Sequence, residues 1–424
     1  MQIDSLCDLY LKSSGISTDT RTIKAGNLFF ALKGNNFNGN LFAEKALQAG
    51  ASFVIADEKH FPDSEKIILV DDVLKTLQHL ANFHRRKLKA KIIAVCGSNG
   101  KTTTKELIAR VLETSFKTFS TKGNLNNHIG VPLSLLSIKP ETEFAVIEMG
   151  ANHLGETKLL CEIAEPDFGL ITNNGKDHLE GYGSIDGVRK GNGELYDFLR
   201  EKNGIVFVCT DEDDLMKMSD GMERITYGEN SFADVSGRIL LTFPFLQLQT
   251  SDFKLQTQLI GKYNFENVMA AVCIGKYFGV SDEKIKQAIE SYSPSNNRSQ
   301  IVKRGTNTFI LDAYNANPSS VEAALENFIS LPEENKIVIL GDMAELGDSS
   351  EAEHRHVVFK LQTSNFKLVS LVGKEFNQAD ADRKFLHFEN VTGLKKWFDK
   401  QRFENCFFLL KASRVMGLEK LLPE

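Results

Sequence analysis

The 424-residue chain carries 50 basic and 56 acidic residues, a formal net charge of -6, so it has no bulk basic field to hold nucleic acid and any anion site must be local. Its six cysteines stand singly, with no Cys-x-x-Cys pair, which points to reduced packing residues in a cytoplasmic protein. No apolar run approaches the roughly 20 residues of a membrane span, the start Met-Gln-Ile-Asp-Ser-Leu lacks an export pattern, and the length allows two or three domains.

Residues 1–88 alternate short apolar runs, at 28–32 and 53–56, with helical stretches such as 41–49, and read as a small α/β unit. Within it, the segment 17–21, with Thr20 and Arg21, and the loop 33–40, with Gly39, combine hydroxyls, an arginine fork and flexible backbone. Such groups can hold a pyrophosphate or a base edge, and ordinary turn chemistry asks for the same residues. A helix with a basic end over 74–89 leads into the next unit, 89–297.

That unit opens with an apolar, β-branched run over 91–96, then Gly97-Ser98-Asn99-Gly100-Lys101-Thr102-Thr103-Thr104, then apolar residues at helical spacing over 105–112. Strand, glycine turn and helix in this order make a cradle for a nucleotide triphosphate. The glycines let backbone approach phosphate, the helix N-terminus offers unpaired N–H groups, Lys101 brings charge and Thr102 a hydroxyl suited to Mg²⁺. The first glycine of the usual pattern falls on Val95, so Gly97 begins a shorter loop. The stretch 122–132, with Asn126, Asn127 and His128, is too rich in Asn and Gly for an ordinary element and reads as a binding loop. A strand over 144–148 ends in Glu148, just before Asn152; a carboxylate there can hold Mg²⁺ or cap the next turn. A third strand, 168–172, runs into a polar segment that includes His178. Residues 205–259 read as an antiparallel appendage, followed by a helix over 264–278 and a polar linker over 292–299.

From 298 to 424 the α/β alternation restarts, with strands near 308–312, 337–341, 368–373 and 406–410. Two of them end in polar loops, 312–318 and 341–347, and Pro318 can open a helix that leaves Asn315 and Asn317 on the loop. His354 and His356 lie two apart on a helix, point in different directions, and are read as surface residues.

These motifs together resemble the Mur ligase family, the ATP-dependent amide-forming enzymes of peptidoglycan precursor synthesis. The match runs through Asp19 to Arg21 and Gly34 to Asn40, Gly97 to Thr103, Asn124 to Pro132, Glu148 to His153 and His178 to Gly183. It continues in Asn264 to Asn267, Asn297-Arg298, Asp312 to Pro318, Leu340 to Gly347 and Lys411 to Arg414. Tyr-Asn-Ala-Asn-Pro beside Leu-Gly-Asp-Met-Ala-Glu-Leu-Gly points to the branch that adds D-alanyl-D-alanine to UDP-MurNAc-tripeptide through an acyl phosphate.

The resemblance implies a three-domain α/β protein: an N-terminal UDP-binding domain, a central P-loop ATPase with a mostly parallel sheet, and a C-terminal Rossmann-like domain, in a monomer. It further implies that Gly97 to Thr103 hold the ATP phosphates, with Lys101 on them, and that Thr102, Glu148 and His178 serve Mg²⁺. Asn267 would face adenine, and Arg298 and Asp312 would reach the nucleotide from the far side. Thr20, Arg21, Gly39, Asn126, Asn127, His128 and Asn152 would meet the UDP-MurNAc-peptide, and Tyr314, Asn315 and Asn317 the dipeptide. Two positions depart from the family pattern. Asn192 stands where a carbamylated lysine commonly bridges a magnesium, and Ala412 where glycine is more usual. The competing expectations are a sibling ligase adding one amino acid, a folylpolyglutamate synthetase-like enzyme, and an ATP-binding homologue impaired by Asn192.

Overall fold

The computed structural model describes residues 2–60, 64–294 and 298–422, so Asn297, paired with Arg298 above, lies outside the described residues. Three large sheets carry the chain, beside a two-stranded antiparallel hairpin of Lys33–Gly34 and Phe37–Asn38. The first has four strands in the order Ile16–Ser17, Leu28–Phe30, Phe53–Ala56, Ile67–Leu69, all parallel.

The second sheet has nine strands. Its centre is Lys91–Cys96, flanked by Phe144–Glu148 and Phe168–Ile171, and these strands are buried almost end to end. That is why each appears in the sequence as a continuous apolar run: helices cover both faces of a parallel sheet. Ile205–Cys209 and Arg224–Gly228 extend the same sheet in parallel, and only Val235–Leu241, Gln247–Thr250 and Lys254–Gln256 pair with one another antiparallel. The expectation of an antiparallel appendage over 205–259 is therefore corrected. The crossover between the two parallel strands uses the six-residue helix Asp213–Met218, too short to display an amphipathic period.

The third sheet has six strands, with Gln300–Arg304 antiparallel at one edge and Asn307–Asp312, Phe407–Lys411, Lys336–Gly341, Leu368–Val372 and Leu386–Phe388 parallel beyond it. The single tryptophan, Trp397, lies on the helix Val391–Phe398 and packs against Phe388 and Phe403. His354 corrects another expectation: it is fully buried. Its Nε2 accepts the Met343 N–H at 3.0 Å and its Nδ1 lies 2.7 Å from the Ser350 carbonyl oxygen, so it pins the 341–347 loop, while His356 stays exposed.

Parallel strands bring their carboxyl ends to one edge. Gly97 and Asn173 follow, and Glu148 ends, three adjacent strands of the central sheet, while Asp312 and Lys411 end two adjacent strands of the third. The central sheet rests on a core in which Phe207, fully buried, lies 6.2 Å from Phe168 and 5.4 Å from Tyr277 between ring centroids. Phe207→Ala should cost about 3–5 kcal/mol of stability. A fall in the thermal and urea midpoints checks this, and an unchanged midpoint would contradict the packing described.

Candidate active site

The phosphate loop takes its shape from two glycines in left-handed backbone. Gly97 has φ +121° and Gly100 φ +83°; a Cβ on the first would stand 2.3 Å from Thr172 Oγ1, and on the second 2.4 Å from Asn267 Oδ1. Gly100 is also the N-cap of the helix Lys101–Glu113, so the helix starts with its N–H groups bare toward the cavity. Lys101 donates to the carbonyl oxygens of Gly97 and, at 3.0 Å, of Ser98, and lies 4.0 Å from Asp177.

Around this loop is a cavity of about 730 Å³, bordered by the phosphate loop, the loops after the neighbouring strands, and the carboxyl ends of the third sheet. Glu148 is 2 % exposed; its Oε1 accepts from Asn126 Nδ2 at 2.8 Å, while its Oε2 is buried with no protein partner. An orphaned carboxylate oxygen on the same cavity border as Thr102 fits a divalent cation, which takes oxygen ligands and would complete its shell from water and phosphate. Among the described residues no group of three or more His, Cys, Asp or Glu is assembled for a metal.

His178 sits across the cavity at φ +48°. Its Nδ1 approaches Glu345 Oε2 at 2.5 Å, as an ion-pair contact without the alignment of a hydrogen bond, and its Nε2 lies 3.6 Å from Asp177. Burial alone lowers the His178 pKa, but Glu345 and Asp177 outweigh it and the net direction is up from the ordinary histidine value. Glu345 too has a positive φ, +63°, and its carbonyl accepts the Glu180 N–H at 3.1 Å. Two strained backbones thus meet at one interdomain contact, a pattern that surrounding structure must hold in place.

From the third sheet come Asp312, Tyr314, Asn315, Lys411 and Arg414, with Arg298 beside them. Lys411 donates to Asp312 Oδ2 at 2.6 Å and to the Asn315 carbonyl at 3.2 Å. The Arg298 guanidinium stacks over Tyr314, 3.8 Å from the ring centroid, and Arg414 flanks the same ring at 5.2 Å. Lys411 and Arg414 were not singled out as site residues in the sequence; both follow the strand Phe407–Lys411 or end it, the same strand-end signal that marked the other loops.

Three family models match the chain in succession: "Mur ligase family, catalytic domain" over residues 12–85, "Mur ligase middle domain" over 95–275 and "Mur ligase, glutamate ligase domain" over 297–400. The UDP-N-acetylmuramoyl-tripeptide–D-alanyl-D-alanine ligase of Bacillus subtilis is 34% identical over 428 residues, covering 97% of this chain and 92% of the relative. This chain belongs to the Mur ligase family. The ligase of the same description from Escherichia coli is 32% identical, over 96% of this chain and 92% of the relative. MurF from Acinetobacter baumannii superposes with a TM-score of 0.88 at 29% identity, covering 99% and 97% of the two chains. MurF ligase from Thermotoga maritima, solved in complex with ADP, gives 0.85 at 26% identity over 98% and 97%.

For this Mur ligase the cavity border includes Ser98 to Thr103, Asn126, Asn127, His128, Glu148, Asn152, His178, Asn267, Arg298, Asp312, Tyr314 and Asn315. Asn127 Oδ1 also accepts the N–H groups of Ile129 and Gly130 just where the helix Gly130–Leu135 begins, and Asn267 accepts from Thr104 and donates to Asn264, leaving one N–H and one lone pair beyond these two bonds. Thr20, Arg21 and Gly39 lie in the first unit and do not border the cavity; Arg21 is exposed and paired with Asp19. Asn317 and Asn192 do not border it either. Asn192 is buried, accepting from Cys96 Sγ at 3.4 Å and donating to Asn174 at 2.9 Å, so its amide is engaged at both ends.

The border of the cavity near Asn267 gathers acids. Burial, together with Glu212 and Asp211, pushes the Glu266 carboxyl up to about 7. The folded protein therefore holds a proton that the unfolded chain has released between about pH 4.5 and 7, and stability falls as pH rises through that window. Glu266→Gln should stabilise the ligand-free protein above pH 7 by on the order of 1–3 kcal/mol, with the gain shrinking toward pH 4.5. Thermal midpoints of both proteins across pH check this, and a gain that does not depend on pH would contradict it.

Proposed function

We infer that this Mur ligase joins D-alanyl-D-alanine to UDP-MurNAc-tripeptide with cleavage of ATP to ADP and phosphate, as a cytoplasmic monomer. The supporting observation is a single cavity that brings the phosphate loop, an unpaired Glu148 oxygen and the 312–315 loop face to face. We divide the chain into domains at 88/89 and 297/298, a division supported by the three separate sheets and the three matched stretches.

In this reading an oxygen of the tripeptide carboxylate attacks the γ-phosphorus, the bond to ADP breaks, and an acyl phosphate forms. The dipeptide amine then attacks the acyl carbon, loses a proton, and orthophosphate leaves as the amide closes. Every stage crowds anionic oxygens, so the chain's task is to hold and neutralise them. Lys101 turns from its loop carbonyls to the phosphates, while the bare N–H groups at the helix start bind phosphate oxygens. Thr102 and Glu148 would hold Mg²⁺, which when bound offsets phosphate charge. His178 steadies the Asp177–Glu345 seam. Arg298 and Asp312 address the nucleotide, Tyr314 and Asn315 the dipeptide, and Asn126, Asn127, His128 and Asn152 the peptide of the UDP-sugar. Thr20, Arg21 and Gly39 take its uridine diphosphate end, outside the cavity. The cavity lies between two units, and their closing over it would keep water from the acyl phosphate.

Phosphate release with Mg-ATP should require both UDP-MurNAc-tripeptide and D-alanyl-D-alanine, and D-glutamate, diaminopimelate or lysine should not replace the dipeptide. Turnover with a single amino acid would make the protein a sibling ligase, and silence in every mixture would overturn the assignment. Asn192 withholds the charge a carbamate would bring, so Asn192→Lys should raise turnover and make it respond to added bicarbonate. Unchanged turnover with and without bicarbonate would sink that view of Asn192.

A further inference from the structure

Asn317 lies in the segment that would receive the dipeptide, between cavity residues Asn315 and Ser319, yet it is 3 % exposed and absent from the cavity border. Both ends of its amide are used. Oδ1 accepts the Ser320 N–H at 2.8 Å, capping the helix Pro318–Ser330, and Nδ2 donates to Asn99 Oδ1 at 3.0 Å. Asn99 belongs to the phosphate loop, 218 residues away in sequence. Its peptide is clamped in turn: the N–H donates to Asn173 Oδ1 at 3.1 Å and the carbonyl accepts from Asn173 Nδ2 at 3.2 Å.

We propose that Asn317 is a positioning residue, not a dipeptide ligand, and that its hydrogen bond to Asn99 sets the dipeptide-binding loop in register with the phosphate loop. A loop shape imposed at Asn99 passes through one rigid amide to the cap of Pro318–Ser330, and so to Tyr314 and Asn315 just before it. The rest of the seam does not depend on this bond. The Lys176 N–H donates to Ser319 Oγ at 2.8 Å, Lys176 Nζ pairs with Glu353 at 2.6 Å, and Gly175 fits where a Cβ would meet Asn99 Nδ2 at 2.8 Å and Ser319 Oγ at 3.0 Å. Breaking the Asn317 link therefore leaves the two units docked but lets the acceptor loop drift relative to the phosphates. Small displacements of this kind fall on the amine-transfer geometry rather than on nucleotide binding.

The proposal rests on the D-alanyl-D-alanine reading above, and its test separates the two. Serine caps a helix as well as asparagine but is too short to reach Asn99. Asn317→Ser should raise the KM for D-alanyl-D-alanine about five- to tenfold, the worth of one hydrogen bond, with the ADP Kd within about twofold of wild type and the melting temperature unchanged. Asn99→Ala breaks the same bond from the other side and should raise the same KM, and the double variant should be no worse than the weaker single. An unchanged KM in Asn317→Ser, or effects that multiply in the double variant, would overturn the coupling. Wild-type protein without dipeptide-dependent turnover would instead overturn the reading beneath it.

Discussion

The site must attract polyanions although its walls are crowded with acids. Glu148, Glu156, Asp177, Glu212, Glu266, Asp312 and Glu345 all border the cavity, facing Lys101, His178, Arg298, Lys411 and Arg414. Most of these cations are already spoken for: Lys411 by Asp312, His178 by Glu345, Lys101 in part by its own loop. Net side-chain charge therefore cannot be the main source of phosphate affinity. Backbone does that work, through the glycine loop and the uncapped start of Lys101–Glu113, whose N–H groups carry partial positive charge without needing a counter-ion. Under the proposed function the acids have a use of their own, since an unpaired oxygen such as Glu148 Oε2 suits a cation brought with the nucleotide.

This arrangement follows from topology more than from any one residue. Parallel strands must return through helices, so their carboxyl ends share an edge, and two such edges placed opposite each other make a cavity whose walls are loops. Loops tolerate polar residues that strands cannot, which is why the segments around Gly97, Glu148, Asn173, Asp312 and Lys411 turn polar where an apolar run stops. The seam between the edges is held by contacts of different kinds: the Asn99–Asn317 amide pair, the His178–Glu345 ion pair on two strained backbones, and the Lys176–Glu353 bridge.

Much of this was legible in the residues. Strands buried on both faces print themselves as apolar runs, so Phe144–Glu148 is where the pattern put it, and Pro318 opens its helix. What stayed hidden was pairwise and distant. The sequence places Asn317 on the loop before Pro318 but has no mark for its capping of the helix or for Asn99 as its partner. His354 resembled a surface residue because the loop that buries it is shaped by the His354–Met343 bond itself. The strands 205–209 and 224–228 were misassigned since a six-residue crossover shows no helical period. Asn192 was visible as a departure, but its commitment to Cys96 and Asn174 depends on three elements meeting.

Trp397, alone of its kind and packed between Phe388 and Phe403 at the far side of the third sheet, has an optical consequence. Indole emission from this chain is a report from one sheet in three. An unfolding curve followed by that emission traces only the C-terminal unit, whereas circular dichroism averages over the whole backbone. Coincidence of the two curves would mean that the seam makes the units melt as one; separation would give the free energy by which they are independent.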